Sequence, residues 1–488
     1  MLFNSYIFIF LFMPLVILGF FALNHFGRYK AAEVYLIGMS LWFYGYYNPK
    51  YLVIICTSIV LNYLLSRILS RLPESRTALR KAVLIIGLAG DVGAIFYYKY
   101  YDFFIKNVNA AFDTSFNLRH IMLPLGISFF TFQQISYLVD SYRGETRDYG
   151  FIEYALFVVF FPQLIAGPIV LHSEVIPQFR DRSKRKLNME NMARGIYIFS
   201  VGLFKKVLIA DTFGRAVTWG YGTVDTLSSM EAILVSFCYT FQLYFDFSGY
   251  CDMANGLGRM LNIELPWNFD SPYKALSIQD FWGRWHLTLT RFLRQYIYFP
   301  LGGSYCSKPR TYFNIMAVFL VSGIWHGADW TFIAWGLIHG AFNCFDRAFK
   351  KQRDKMNKAF QWLSTFLLVN LLWILFRADS FSQAALMIKK MVLMNDFTVR
   401  GELTGCFNLS ELNFLDAHVG IFELLSSNIW GFNMWCFLAA ALIIVLNFRN
   451  LSEIEFRPTA GRAAVSAAFL FWSITSLTGV SVFLYFGF

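Results

Sequence analysis

A chain of 488 residues is long enough for two or three soluble domains, but 57% of it is apolar and only 15% is charged, against about 25% in ordinary globular proteins. Its 55 Phe, 27 Tyr and 13 Trp, with a mean hydropathy of +0.47 spread along the whole length, exclude disorder, coiled coil, collagen-like repeats and a soluble domain on one anchor. The net charge of +11 falls in short basic runs between apolar segments, which is the mark of membrane orientation and not of nucleic acid.

The fold class is all-α, a polytopic integral membrane protein, because barrel strands alternate every second residue and these apolar runs do not. The opening MLFNSYIFIFLFMPLVILGFF has no basic n-region and no cleavage pattern, so it reads as a retained first span. Further runs of spanning length lie near 31–47, 50–66, 82–99, 121–139, 193–210, 232–250, 361–376, 432–448 and 463–486. The loop with Arg67, Arg71, Arg76, Arg80 and Lys81 is placed in the cytoplasm, and counting spans from it puts both termini outside. The RDRSKRK run at 180–186 belongs on that same side. The stretch 152–170 must therefore enter and leave together, as its breakers Pro162, Gly167 and Pro168 allow.

The region 251–311 mixes Trp, Tyr and Arg with apolar residues and suits interfacial or re-entrant helices. A helix is expected to start at Ser277, with Trp282, His286, Leu289 and Leu293 on one face and Arg284 and Arg291 on another. The runs 312–325 and 330–345 are each short for a straight span, so they form an even pair whose turn, IWHGADW, puts His326 at depth. Basic residues from Arg347 to Lys358 mark a further cytoplasmic loop. The segment 377–431 falls outside by parity. One membrane domain, 1–488, is expected, with 251–345 as its catalytic region and 377–431 as its extracytoplasmic excursion.

The seven Cys read as buried thiols with no metal-ligand spacing, so no disulfide framework, zinc site or other metal centre is expected. GxSxG, HExxH, Walker and CxxC motifs are absent from the sequence. Gly249, Gly256 and Gly258 follow a membrane helix and lack the strand and Lys of a phosphate loop. His25, His120, His172 and His418 lie in loops or at span ends and read as surface residues. His286, His326 and His339 sit in apolar context, where ionisable groups are costly, and a neutral imidazole there is well suited to take a hydroxyl proton. Lys205, Lys206 and Asp246 read as a buried ion pair or as interfacial side chains.

The stretches LPLGISFFTFQQISYLVDSYRG, FFPQLIAGPIV, GLFKKVLIAD, YTFQLYFDFSGYCDMANGLGRM, DFWGRWHLTLTRFLRQYIYFPLGG and SGIWHGADWTFIAWGLIHG, in that order, resemble the membrane-bound O-acyltransferase family. Within it they are most similar to the bacterial branch that acetylates alginate, peptidoglycan and exopolysaccharides. Leu171 stands where that branch often has a basic residue. The resemblance implies about eleven spans with re-entrant helices, set in the inner membrane of a bacterium and thinned at the centre. It implies that His326 and His286 are catalytic, with His326 as base. His286 orients, donates to an oxyanion or takes part in an acyl relay. Trp282, Trp285 and Trp325, with Gln163, Asp246 and Asp329, are expected to support or line the passage, and Arg284, Arg291 and Arg294 to face the donor or lipid headgroups. The implied donor is acetyl-CoA with no resident cofactor, the acceptor is a polysaccharide, and an extracytoplasmic SGNH-type transferase is the implied partner. D-alanyl transfer to teichoic acid and a transporter or flippase are the rival readings.

Overall fold

The computed structural model describes residues 1–409, 428, 431–477 and 483–484, and all regular structure among them is helical. Helices α1 (Phe8–His25), α2 (Tyr29–Gly45) and α3 (Lys50–Arg71) pack in sequence, and α4 (Thr77–Ile95) passes through a π-turn, Phe96–Tyr100, into α5 (Tyr101–Phe112). After α6 (Ile127–Arg143) come α7 (Phe151–Val159), α8 (Phe161–Leu164) and α9 (His172–Arg180). Helix α10 (Met189–Phe204) leads through the π-turn Lys205–Ala210 to α11 (Asp211–Gly222) and the long α12 (Ser229–Met260). The short α13 (Ile278–Trp282) and α14 (Leu287–Leu293) precede the hairpin of α15 (Lys308–His326) and α16 (Trp330–Ala348). Then follow α17 (Lys350–Arg353), α18 (Lys358–Arg377), α19 (Phe381–Leu393), α20 (Gly401–Gly405), α21 (Phe432–Asn447) and α22 (Ala460–Thr475).

Among the described residues, α1, α3, α18 and the segment Phe432–Glu453 are long and apolar enough to cross a membrane on length and composition alone. The remaining long helices carry polar residues that the bundle buries. Asn62 of α3, for example, donates to Asp91 of α4 at 2.8 Å and to Gln134 of α6. Lipid is as apolar as leucine, so such bonds and close backbone approach hold the helices together.

Ion pairs gather the basic loops at one end of the bundle. Arg147 meets Glu74 at 2.7 Å, Arg180 meets Glu153 at 2.5 Å, and Asn262 Nδ2 donates to the carbonyls of Lys184 and Lys186, both at 2.8 Å. The Arg180–Glu153 pair ties α9 to the start of α7, so the broken stretch between them returns to the end it left. The helix is interrupted at Phe160, two residues before Pro162, and again by the turn and irregular backbone after Leu164, as the sequence leads one to expect.

Several boundaries differ from the apolar runs. The run 121–139 becomes helical only at Ile127, because Pro124 and Gly126 shape an irregular entry. The run 463–486 is helical to Thr475, and its later part lies mostly outside the described residues. Helices α15 and α16 have 19 residues each, about 28 Å, so polar ends extend both beyond their apolar cores. Of the segment 377–431, residues 410–427, 429 and 430 lie outside the described residues. Its first part is fastened to the start of α12 by the Arg400–Glu231 pair at 2.9 Å.

The core is organised on α12. Its 32 residues span about 48 Å, and Ser228 caps it by accepting from Glu231 N at 3.0 Å while Glu231 accepts from Ser228 N at 3.0 Å. Gly249 and Gly256 let α10 touch it: a Cβ on Gly202 would lie 2.6 Å from the Gly249 carbonyl, and one on Gly256 2.7 Å from that of Gly195. These glycines therefore serve helix packing. Gly202→Val drives a branched side chain into backbone that cannot retreat, so we expect at least the 1–3 kcal/mol typical of overpacking. The yield of monodisperse protein in detergent checks this, and wild-type yield would contradict it.

Beside this contact, Lys206 Nζ lies 2.7 Å from both Asp246 Oδ1 and Asp211 Oδ1, and Lys205 lies 2.7 Å from Asp252. Tyr250 stacks on Phe3 at 4.8 Å and on Phe483 at 4.7 Å, while Leu484 N donates to Asp246 Oδ2 at 2.9 Å. Residues from both ends of the sequence thus meet on one face of α12.

Candidate active site

The helix expected from Ser277 through Leu293 is two helices. Ser277 does cap α13, accepting from Asp280 N at 2.9 Å, but α13 ends at Trp282. His286 then adopts a left-handed conformation, φ 47°, before α14 begins. A non-glycine residue held there is uncommon and must be fixed by its surroundings.

Asn268 supplies that fixing. Its Oδ1 accepts from Thr288 N at 3.2 Å, Thr288 Oγ1 at 2.9 Å and His286 Nδ1 at 3.1 Å, and its carbonyl accepts from Leu287 N at 3.0 Å. The Thr288 N–H defines which end of the amide is oxygen. His286 Nδ1 therefore carries the proton, and Nε2 carries the lone pair. Thr288 Oγ1 also accepts from Ile169 N at 3.0 Å, which joins α14 to the broken stretch after α8.

His326 closes α15. Its carbonyl and that of Trp325 accept from Lys99 Nζ, at 3.0 and 2.7 Å, so a side chain from the π-turn after α4 caps this helix. Asp329 is the N-cap of α16, accepting from Thr331 N at 3.1 Å. The two caps hold the IWHGADW turn at both sides.

The structure brings His326 and His286 together around Trp325, whose ring centroid lies 4.8 Å from that of His326 and 5.9 Å from that of His286. His286 is 0% exposed and His326 3%. Aromatic rings surround them: Trp335 at 5.1 Å and Phe376 at 5.2 Å from His326, with Trp373 stacked on Trp335 at 5.7 Å and Trp285 at 5.1 Å from Trp373. Trp282 Nε1 donates to His339 Nδ1 at 3.2 Å, and His339 packs on Trp335 at 4.9 Å. His339 thus belongs to the wall. Such a wall keeps bulk water away from the two imidazole rings.

The other residues singled out from the sequence lie further from this centre. Gln163 sits in the broken stretch and donates to the Phe157 carbonyl at 2.7 Å, and Asp246 is paired with Lys206. Arg291 forks onto Glu174 and donates to the Ile169 carbonyl at 3.0 Å, while Arg284 meets Asp280 at 2.8 Å. Arg294 is exposed and lies over the Phe299 ring at 5.9 Å, with no ion pair among the described residues.

The readings of His172 as a surface residue and of all seven Cys as buried thiols need correction. His172 is 2% exposed and donates to Asp140 Oδ2 at 3.2 Å, an oxygen that also accepts from Tyr296 at 2.6 Å. Asp140, Glu145 and His172 bring one possible ligand atom each within 4.8 Å, although Arg143 at 3.1 Å already compensates Asp140. Of the seven Cys, only Cys238 and Cys251 are buried. Cys436 is exposed, because helices facing lipid expose their apolar residues. His25, at the end of α1, and His120, in a loop, are both exposed, and His418 lies outside the described residues.

Asn268, Lys99, Trp335, Trp373 and Phe376 were not indicated by sequence reasoning. A signal existed for Lys99, an ionisable residue closing the apolar run 82–99.

The pattern of the membrane-bound O-acyltransferase family matches residues 139–381. A peptidoglycan O-acetyltransferase of Helicobacter pylori is 40% identical, over 100% of this chain and 98% of its own length. A probable alginate O-acetylase of Pseudomonas aeruginosa is 36% identical over 96% of this chain and 85% of its own. A teichoic acid D-alanyltransferase of Streptococcus thermophilus is 25% identical over 48% of this chain and 59% of its own. On these likenesses, this chain belongs to the membrane-bound O-acyltransferase family.

Proposed function

We propose that this protein moves an acetyl group from a cytoplasmic thioester, acetyl-CoA, across the inner membrane for O-acetylation of an extracytoplasmic polysaccharide. The observation that carries this reading is the convergence of His326 and His286 on Trp325 inside an aromatic wall. The full-length likeness to a peptidoglycan O-acetyltransferase and the near-full likeness to an alginate O-acetylase favour a glycan acceptor.

In the chemistry this reading requires, a hydroxyl oxygen attacks the thioester carbonyl, His326 accepts the hydroxyl proton, the C–S bond breaks, and the thiolate takes the proton. With its proton on Nδ1, His286 presents Nε2 as an acceptor. It is therefore a proton or acyl acceptor and not the oxyanion donor. Arg294, the arginine without a carboxylate partner among the described residues, is the one of the three left to attract the donor's phosphates. The acetyl group passes to an SGNH-type transferase outside the cell, and the side bearing the basic loops is cytoplasmic.

Base-released acetate, measured on fractionated envelope glycans from cells with and without the gene, tests the reading. Deletion is expected to empty one glycan fraction of O-acetyl groups. An unchanged acetate profile, or loss of ester-linked D-alanine in its place, would refute it.

A further inference from the structure

A cavity of about 40 Å³ lies against the end of α15, lined by Lys99, Ser128, Ile165, Trp325, His326 and the entry to α6. That volume holds about three waters. Donors from two residues, Lys99 and Ser128, converge on it.

Lys99 spends two N–H groups on the carbonyls of Trp325 and His326, and an ammonium has three. No carboxylate lines the cavity to neutralise this charge. The first turn of the 17-residue helix α6 also forms its wall; Ile127 N and Phe129 N donate to the Pro124 and Gly126 carbonyls at 3.2 and 2.9 Å, which leaves the Ser128 N–H at the positive end of the helix. Gly126, at φ +70°, permits this placement: a Cβ there would lie 2.8 Å from the Leu164 carbonyl. Ser128 is only 9% exposed, lines the cavity, and its hydroxyl has no hydrogen-bond partner among the described residues. A hydroxyl facing so small a space gains a hydrogen-bond partner when a ligand enters it.

We propose that this cavity is an anion-binding site, taking one carboxylate or oxyanion group on Lys99 Nζ, the Ser128 hydroxyl and the Ser128 backbone N–H. The anion has two sources: an acidic sugar of the acceptor, or the acyl oxygen that gains charge during transfer. Choosing between them rests on the acyl-transfer reading. The site itself does not.

Acetate is the probe for the site, titrated into full-length protein in nanodiscs at constant ionic strength and followed by line broadening of its ¹³C resonance. Wild type and Lys99→Arg are expected to bind. Lys99→Met should weaken binding at least tenfold, and Ser128→Ala several-fold. Because Lys99 also caps α15, Lys99→Met can fail to fold, whereas Ser128→Ala leaves that cap untouched. Wild-type acetate affinity in folded Ser128→Ala and Lys99→Met proteins overturns the proposal.

Acetyl-transfer kinetics then separate the sources. A tenfold fall in kcat at unchanged acceptor KM in Lys99→Met or Ser128→Ala assigns the site to the acyl oxygen. A tenfold rise in KM for a uronate-bearing glycan, absent for its carboxyl-reduced form, assigns it to the acceptor. Unchanged kcat and KM in both variants would remove the site from the reaction. If wild type transfers no acetyl group, the acetate titration still tests the site, and the failure belongs to the proposed function.

Discussion

His326→Ala is expected to lower acetyl transfer by about 10²–10⁴-fold, the usual contribution of a positioned base, while the protein still inserts and purifies. The expectation follows from the place of His326 at the capped end of α15, its carbonyl held by Lys99 and its ring enclosed by Trp325, Trp335 and Phe376. Because removing the ring opens a hole in that wall, His326→Gln is the companion variant, closer in volume and unable to act as the base. Both should lose transfer alike, read as acetylated glycan formed per molecule of membrane protein. Full activity in either variant would show that another group takes the proton. His286 would then be the first candidate, since Asn268 holds its Nε2 as an acceptor.

The second large effect is on stability. Lys206→Met should destabilise the protein by about 3–5 kcal/mol, because it strands the buried Asp246 carboxylate without its cation. Asp211, at 28% side-chain exposure, can turn to solvent, whereas Asp246, at 2%, cannot. The pair should also behave as a unit: adding Asp246→Asn to Lys206→Met removes the stranded charge and is expected to restore part of the loss. Thermal unfolding in detergent of the two single variants and the double variant measures this. Additive losses would mean that the two groups do not depend on each other.

The parts of this molecule visible in its sequence are those governed by nearest neighbours and by membrane cost. Pro162 and Gly167 announced the broken stretch, the basic loops announced their shared end, and His286 and His326 stood out as ionisable residues in apolar surroundings. Contacts across the chain were hidden. Asn268 is indistinguishable from a loop asparagine until the chain folds back and places its carbonyl oxygen on His286 and Thr288. Lys99 caps a helix end 227 positions away. The hinge at His286 escaped because apolar spacing reports a face of a helix but not a single residue with positive φ. His172 was misread for a related reason: a histidine just after a span looks superficial unless the buried carboxylate of Asp140 is known to wait for it.

The meeting of Phe3, Tyr250 and Phe483 on α12 has a bearing on how the protein is made. Asp246 receives its hydrogen bond from a residue 238 positions later in the chain. At the roughly 5–20 residues per second of synthesis, about 12–48 s separate the two. During that interval the central helix stands in the bilayer with one flank unfilled. Lipid or the insertion machinery must cover that flank until residues 483 and 484 arrive, so this flank of α12 is the last to close.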